Sequence, residues 1–162
     1  MPRMKRLILD NACYHIMARG NQKQNTFLEA KDYRVYFKLL KRYRRKYDFA
    51  LYGYCLMPNH VHLVIKINKA ANVAKIMQGL NQSYTLWFNN KYKKVGHLWQ
   101  GRFKSLLIEN GRYMLECLEY VEFNPVRSNL VSSPFVYPWS SWKMRNGNPE
   151  ENSAIVLDSP EI

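Results

Sequence analysis

Met57-Pro58-Asn59-His60-Val61-His62-Leu63-Val64-Ile65-Lys66-Ile67 alternates in the way an extended strand requires. Side chains two apart on a strand share a face, so His60 and His62 project together while Val61, Leu63, Ile65 and Ile67 project the other way. The apolar row calls for a cover of helices and leaves the two imidazoles on the opposite surface. Pro58-Asn59 is a tight turn, which predicts that Phe49 to Met57 is a second strand paired with the first as a hairpin.

Outward from this hairpin the chain reads as alternating elements. Cys13 to Ala18 is a short β-prone run closed by Arg19-Gly20-Asn21. Between Glu29 and Tyr47, Tyr33, Tyr36, Phe37, Leu40 and Tyr47 recur near helical spacing, with Lys31, Arg34, Lys38, Lys41, Arg42 and Arg45 on the other side. Val73, Ile76, Met77, Leu80, Tyr84, Trp87 and Phe88 predict a second helix over 71–90. Phe103 to Ile108 supplies a fourth strand, and Arg112 to Asn124 a third helix that ends where Pro125 disfavours helical geometry. The order β-α-β-β-α-β-α predicts an α+β fold, ferredoxin-like or RRM-like. Two helices lie on one face of a four-stranded antiparallel sheet, and the third is free to lie over the other.

The chain has 162 residues, enough for one well-formed core, and a formal charge of +13. No acidic residue falls between Asp48 and Glu109, whereas Lys66, Lys69, Lys75, Lys91, Lys93, Lys94, Arg102 and Lys104 do. So one-sided a stretch points to a polyanionic partner, nucleic acid first. Cys13, Cys55 and Cys117 are odd in number and widely spaced, which argues against a disulfide framework or a cysteine zinc site. With no apolar run long enough for a signal-peptide core or a membrane span, the expected location is the cytoplasm.

Two neighbouring imidazoles suit shared ligation of a divalent ion, with ordinary hydrogen-bonded histidines as the alternative. A hard ion such as Mg²⁺ or Mn²⁺ wants an oxygen donor as well. The third helix offers one, since Tyr113, Cys117, Tyr120 and Asn124 form a single stripe, with Met114, Leu118 and Val121 on an apolar stripe beside it. Asn124 is then placed to bring a carbonyl oxygen to the ion, and Tyr120 a phenol to a phosphate. Tyr113 is the rival to Tyr120, and Glu122, off the stripe, ranks behind Asn124 as a ligand. For the strand of nucleic acid, the basic helix face and the Lys91 to Arg102 loop would contact phosphates, with Trp99, Phe103 or Tyr92 stacking on unpaired bases or serving as core.

Five blocks in order carry a resemblance: Tyr14-His15 to Arg19-Gly20-Asn21; Met57 to His62; Gly96-His97-Leu98-Trp99-Gln100-Gly101-Arg102-Phe103; Tyr120-Val121-Glu122-Phe123-Asn124-Pro125-Val126-Arg127; and Tyr137-Pro138-Trp139-Ser140-Ser141. Together they resemble the single-tyrosine HUH transposases, especially their REP-associated branch, from about Cys13 to Trp142. Ser128-Asn129 departs from the small residues and glycine frequent at that turn.

The resemblance implies a DNA transposase and site-specific single-strand endonuclease. His60, His62 and Asn124 would hold Mg²⁺ or Mn²⁺, and Tyr120 would be the nucleophile that forms a 5′-phosphotyrosyl intermediate. Arg19, Asn21, Lys91, Lys93, Lys94, Trp99, Arg102 and Lys104 are the candidate DNA contacts. Hairpin DNA with an adjacent single strand is the implied substrate, no nucleotide cofactor or membrane is required, and either a monomer or a homodimer fits. Residues 1–145 are expected to form the nuclease domain and 146–162 a mobile or loosely docked tail. The competing expectations are a non-catalytic nucleic-acid-binding module and a domesticated repeat-processing factor.

Overall fold

A computed structural model describes residues 8–109, 111–147 and 156–160. Four strands, β1 (Ala12–Arg19), β2 (Ala50–Met57), β3 (His60–Ile67) and β4 (Lys104–Ile108), form one antiparallel sheet in the order β2-β3-β1-β4. Helices α1 (Ala30–Tyr47) and α2 (Asn72–Tyr92) connect β1 to β2 and β3 to β4, and α3 (Gly111–Glu122) follows β4. This is the ferredoxin-like arrangement expected from the element order.

The alternation in β3 divides the two faces. Val61, Leu63, Ile65 and Ile67 are buried in the main core with Tyr36, Leu40, Ile76, Leu80 and Phe88 from α1 and α2. Val64 points the other way, into a smaller cluster with Met114, Leu118 and Val121 of α3. Between Leu51 and Gly53 the register of β2 against β3 shifts, and the extra residue reverses the facing of the residues that follow. As a result Leu51, Tyr54 and Leu56 face the main core, whereas Tyr52, Cys55 and Met57 face α3. Gly53 lets α3 sit directly on the sheet: a Cβ there would come within 2.4 Å of Leu118 Cδ2.

The third helix does not run through Asn124 as its stripe predicts. It stops at Glu122, Phe123 adopts φ −86 and ψ 0, and a separate short helix α4 (Asn124–Arg127) begins with Pro125 in its first turn. Proline has no N–H to donate, which a first turn does not need, so the proline that ends one helix is used to open the next. Asn124 therefore reaches the site from the start of α4.

β2 is an edge strand, and the C-terminal part of the chain covers it. Leu56 N–H donates to Trp139 O at 2.8 Å, Ser141 N–H donates to Tyr54 O at 3.0 Å, and the Tyr137 hydroxyl donates to Leu56 O at 2.6 Å. A short helix α5 (Trp142–Asn146) follows. Farther along, Asp158 N–H donates to Leu51 O and Leu51 N–H donates to the Asp158 carboxylate, each at 2.9 Å, while Arg44 pairs with the same carboxylate. Unpaired edge groups are a template for aggregation, and this cover removes it. Of the segment 146–162, expected to be a mobile or loosely docked tail, Asn146 and Gly147 close α5 and residues 156–160 carry the contacts to β2 and α1; residues 148–155 and 161–162 lie outside the described residues. Among the described residues no helix is long and apolar enough to cross a membrane.

Candidate active site

The site lies on the α3 face, at the end of the sheet where the β2–β3 turn opens. Antiparallel register sets Arg19 opposite His60 and Met17 opposite His62, and places His15 diagonally across from His62. The rings of His60 and His62 are 4.9 Å apart between centroids, as alternate positions on one strand face require. His62 is nearly fully buried at 2% exposure, whereas His60 is half-buried at the rim.

Asn124 meets both histidines. Its Nδ2 lies 2.9 Å from His62 Nε2, and its side chain also hydrogen-bonds His60. The other ring nitrogens are engaged behind the site: His60 Nδ1 lies 2.6 Å from Asn59 Oδ1, and His62 Nδ1 lies 2.8 Å from His15 Nε2. Burial holds all three imidazoles below their ordinary range. His60 is pressed down to about 4 by desolvation and by the Arg19 charge. His62 is pressed to about 2 by desolvation first, then by His15, His60, Arg127 and Arg19. His15 is lowered by burial alone. Near neutrality all are uncharged, the form in which imidazole binds metal.

The donor set fits a hard divalent ion. Two imidazoles and an amide converge, leaving further positions for water and phosphate. Among the described residues there is no group of three or more His, Cys, Asp or Glu side chains able to hold an ion, so a third protein donor beside the two imidazoles would have to be of another kind, such as the Asn124 amide. In the orientation seen, Asn124 Oδ1 accepts a hydrogen bond from the Ser128 hydroxyl at 3.5 Å, and oxygen ligation requires the amide to turn over.

Tyr120 stands over the same histidines. Its ring centroid is 6.2 Å from that of His15 and 6.3 Å from that of His62, and the residue is half exposed to solvent. Tyr113 lies seven residues earlier on α3, about 10 Å back along the axis at 1.5 Å per residue. The Arg127 guanidinium sits 4.1 Å over the Tyr120 ring and also donates to the Tyr120 carbonyl oxygen, so α4 pins the end of α3 by its cation. Glu122 is directed elsewhere: its buried carboxylate accepts from Ser141 Oγ at 2.6 Å and pairs with Arg145 at 2.8 Å. Burial raises its pKa, against the pull of Ser141 and Arg145. It fastens α3 to the segment that covers β2.

The basic loop is more divided than its sequence suggests. Arg19, Lys93, Lys94, Arg102 and Lys104 are exposed, and Asn21 is half-buried with its N–H donating to Leu98 O at 2.8 Å. Lys91 instead pairs with the fully buried Asp32 at 2.7 Å and with Glu29, so its charge is used inside the fold. Burial alone would raise the Asp32 pKa, but bonds from Lys91, Tyr92, Leu28 N–H and Glu29 N–H outweigh it and hold the carboxyl below its usual range. The aromatic candidates for base stacking are also tied down. Tyr92 donates to Asp32 at 2.7 Å, and Phe103 packs against the main core. Trp99 donates to Asn81 O at 3.3 Å with its ring 6.1 Å from Tyr84. Trp99 and Phe103 still line a groove of about 640 Å³ between α2 and residues 96–103.

Two site residues were given no role from the sequence. His15 and Arg127 both stand in blocks that carry the resemblance, His15 as one polar position in an apolar strand and Arg127 as a cation after Asn-Pro; neither signal says what the side chain will touch.

The chain matches the family described as "Transposase IS200 like" over residues 9–124. It is 28% identical over 107 residues to a Haemophilus influenzae protein named as a REP-associated tyrosine transposase, covering 59% of this chain and 60% of that protein. The chain thus spans less than two thirds of that relative's length. A solved structure of a REP-associated tyrosine transposase bound to a REP hairpin superposes with a TM-score of 0.78 at 15% identity, over 100% of this chain and 95% of the other, which is a likeness of fold. With the family match spanning most of the sequence and every strand of the sheet, this chain belongs to the IS200-like transposase family.

Proposed function

We propose that this protein cleaves and rejoins single-stranded DNA, with Tyr120 as nucleophile and His60, His62 and Asn124 as the ligands of Mg²⁺ or Mn²⁺. The observation that carries the reading is convergence: a half-exposed phenol stands over the imidazole of His62, which also faces the Asn124 amide. A bound divalent ion would supply Lewis acidity, polarising a non-bridging oxygen of the scissile phosphate. The chain's own part is to hold neutral, lone-pair-bearing imidazoles in place and to present the tyrosine oxygen in line with the phosphorus.

Tyr120 attack forms an oxygen–phosphorus bond to the 5′ side of the break and releases a free 3′-hydroxyl. The phosphotyrosyl bond keeps the energy needed for rejoining, so no ATP is required. Arg127, stacked on the Tyr120 ring, fixes the phenol's approach and places a positive charge where phenolate character develops. The family relationship supports transposase chemistry, and the REP hairpin named for the solved structural neighbour supports hairpin DNA as the substrate class. Because the tyrosine, both histidines and the asparagine all come from one chain, a monomer is competent in this scheme.

For phosphates the exposed Arg19, Lys93, Lys94, Arg102 and Lys104 are the proposed contacts, with Asn21 beside them. The test is incubation of the protein with structured single-stranded DNA and Mg²⁺, followed by denaturing electrophoresis. Wild type should give a denaturation-resistant protein–DNA band that Tyr120→Phe abolishes while DNA binding persists; a band that survives moves the nucleophile to Tyr113 or elsewhere. EDTA should stop cleavage and Mn²⁺ restore it, and activity unchanged in chelator removes the metal from the scheme.

A further inference from the structure

We propose that His15 is a positioning residue that holds His62 in the Nδ1–H tautomer, so that the Nε2 lone pair of His62 points into the metal site; this rests on the metal-binding reading above. His15 is 8% exposed, lies on the α3 face of β1, and places Nε2 2.8 Å from His62 Nδ1. A hydrogen bond between two imidazole nitrogens contains one proton, so one ring must accept. Nε2 of His62, 2.9 Å from the Asn124 amide, is the nitrogen that faces the proposed ion, and a ligating nitrogen carries no proton. His62 then carries its proton on Nδ1 and donates it to His15 Nε2.

His60 shows the same arrangement with a different partner. Asn59 Oδ1, 2.6 Å from His60 Nδ1, can only accept, so His60 also carries its proton on Nδ1 and leaves Nε2 open. Asn59 and His15 thus perform one task on two neighbouring rings: each captures the Nδ1 proton from behind and turns Nε2 toward Asn124. Partners of this kind orient ligating histidines and raise their basicity, and their loss commonly costs about 10- to 100-fold in metal affinity. His15 is not itself a ligand in this arrangement, since no three-histidine group able to hold an ion occurs among the described residues.

The test uses the full chain with ¹⁵N-labelled histidine. In the metal-free wild type, long-range ¹H–¹⁵N correlations should show His62 with its proton on Nδ1; a proton on Nε2 overturns the proposal without any variant. Mn²⁺ affinity is then measured by electron paramagnetic resonance for His15→Phe, which keeps a ring of similar size but cannot accept, and for His15→Gln, which restores an acceptor without the ring. The expected result is about a ten-fold weaker Kd or more for His15→Phe and a value within about three-fold of wild type for His15→Gln. Wild-type affinity in His15→Phe, or equal losses in both variants, shows that packing rather than the hydrogen bond matters and overturns the proposal. Absence of Mn²⁺ binding at His60 and His62 in the wild type sinks the metal reading, while the tautomer measurement still judges His15 on its own.

Discussion

The two faces of β3 are built from alternate residues of one strand and solve opposite problems. On one face Val61, Leu63, Ile65 and Ile67 disappear into a closed apolar layer with α1 and α2, where shape is the only demand. On the other, His60 and His62 sit among His15, Asn124 and Tyr120, polar groups that must be desolvated enough to stay neutral and open enough to admit a phosphate. Stability is concentrated in the first face and the proposed chemistry in the second, and substitutions should separate them.

The largest separation is expected at the rim of the polar face. His60→Ala should lower phosphotyrosyl adduct formation on the order of 100- to 1,000-fold, as removal of one preorganised electrostatic group does elsewhere. Because His60 is half-buried, its loss should leave the melting temperature within a few degrees of wild type. Quantified adduct and a thermal melt on the same sample check both, and a variant that unfolds breaks the division between the faces.

Three residues further along the same strand, Leu63→Ala should do the reverse. Leu63 is 1% exposed in the main core, and truncating such a leucine costs about 2 to 5 kcal/mol. Denaturant unfolding should record that loss, while the adduct yield per folded molecule stays near wild type. An adduct yield that falls as steeply as stability would mean that the core face positions the histidines directly.

A smaller effect should follow pH. His15, His60 and His62 have folded pKa values below the unfolded value of about 6.5, so the unfolded chain binds more protons once pH drops through that point. Stability is then fully present above pH 6.5 and declines as pH falls, continuing to about 4 for His60. The slope approaches about 1.4 kcal/mol per pH unit for each histidine that contributes. Melting of the metal-free protein should therefore drop between pH 7.5 and 5.5, and a flat profile would mean that the imidazoles are solvated.

The apolar face was legible in the sequence because its rule is local: period two along β3 and helical spacing along α1 and α2 announce it residue by residue. His60 and His62 were legible for the same reason, as the complement of that alternation. What faces them was less so. His15 joins them only through the β1–β3 register, and while the stripe shared with Tyr120 pointed Asn124 to the site, the break at Phe123 that puts it on α4 rather than on a continuous helix was not legible. The bulge that reverses β2, and the cover that residues 137–141 and Asp158 lay along its edge, are likewise products of pairing between distant segments. Composition and periodicity carry no record of such partners.

The run Lys91-Tyr92-Lys93-Lys94 poses the same contrast on a smaller scale. Its three lysines look equivalent in sequence, yet Lys91 neutralises the buried Asp32 while Lys93 and Lys94 are exposed. Lysines that neutralise phosphates release counterions, and each contributes about 0.7 to the slope of log affinity against log salt on single strands. Lys93→Ala with Lys94→Ala should therefore lower that slope by about 1.4 in titrations of single-stranded DNA, with little change in melting temperature. Lys91→Ala should leave the slope unaltered and reduce stability, because it strands a carboxylate that water cannot reach. Equal slopes for the two variants would mean that the ion pair with Asp32 opens when DNA binds, and that the charge used inside the fold is also available outside it.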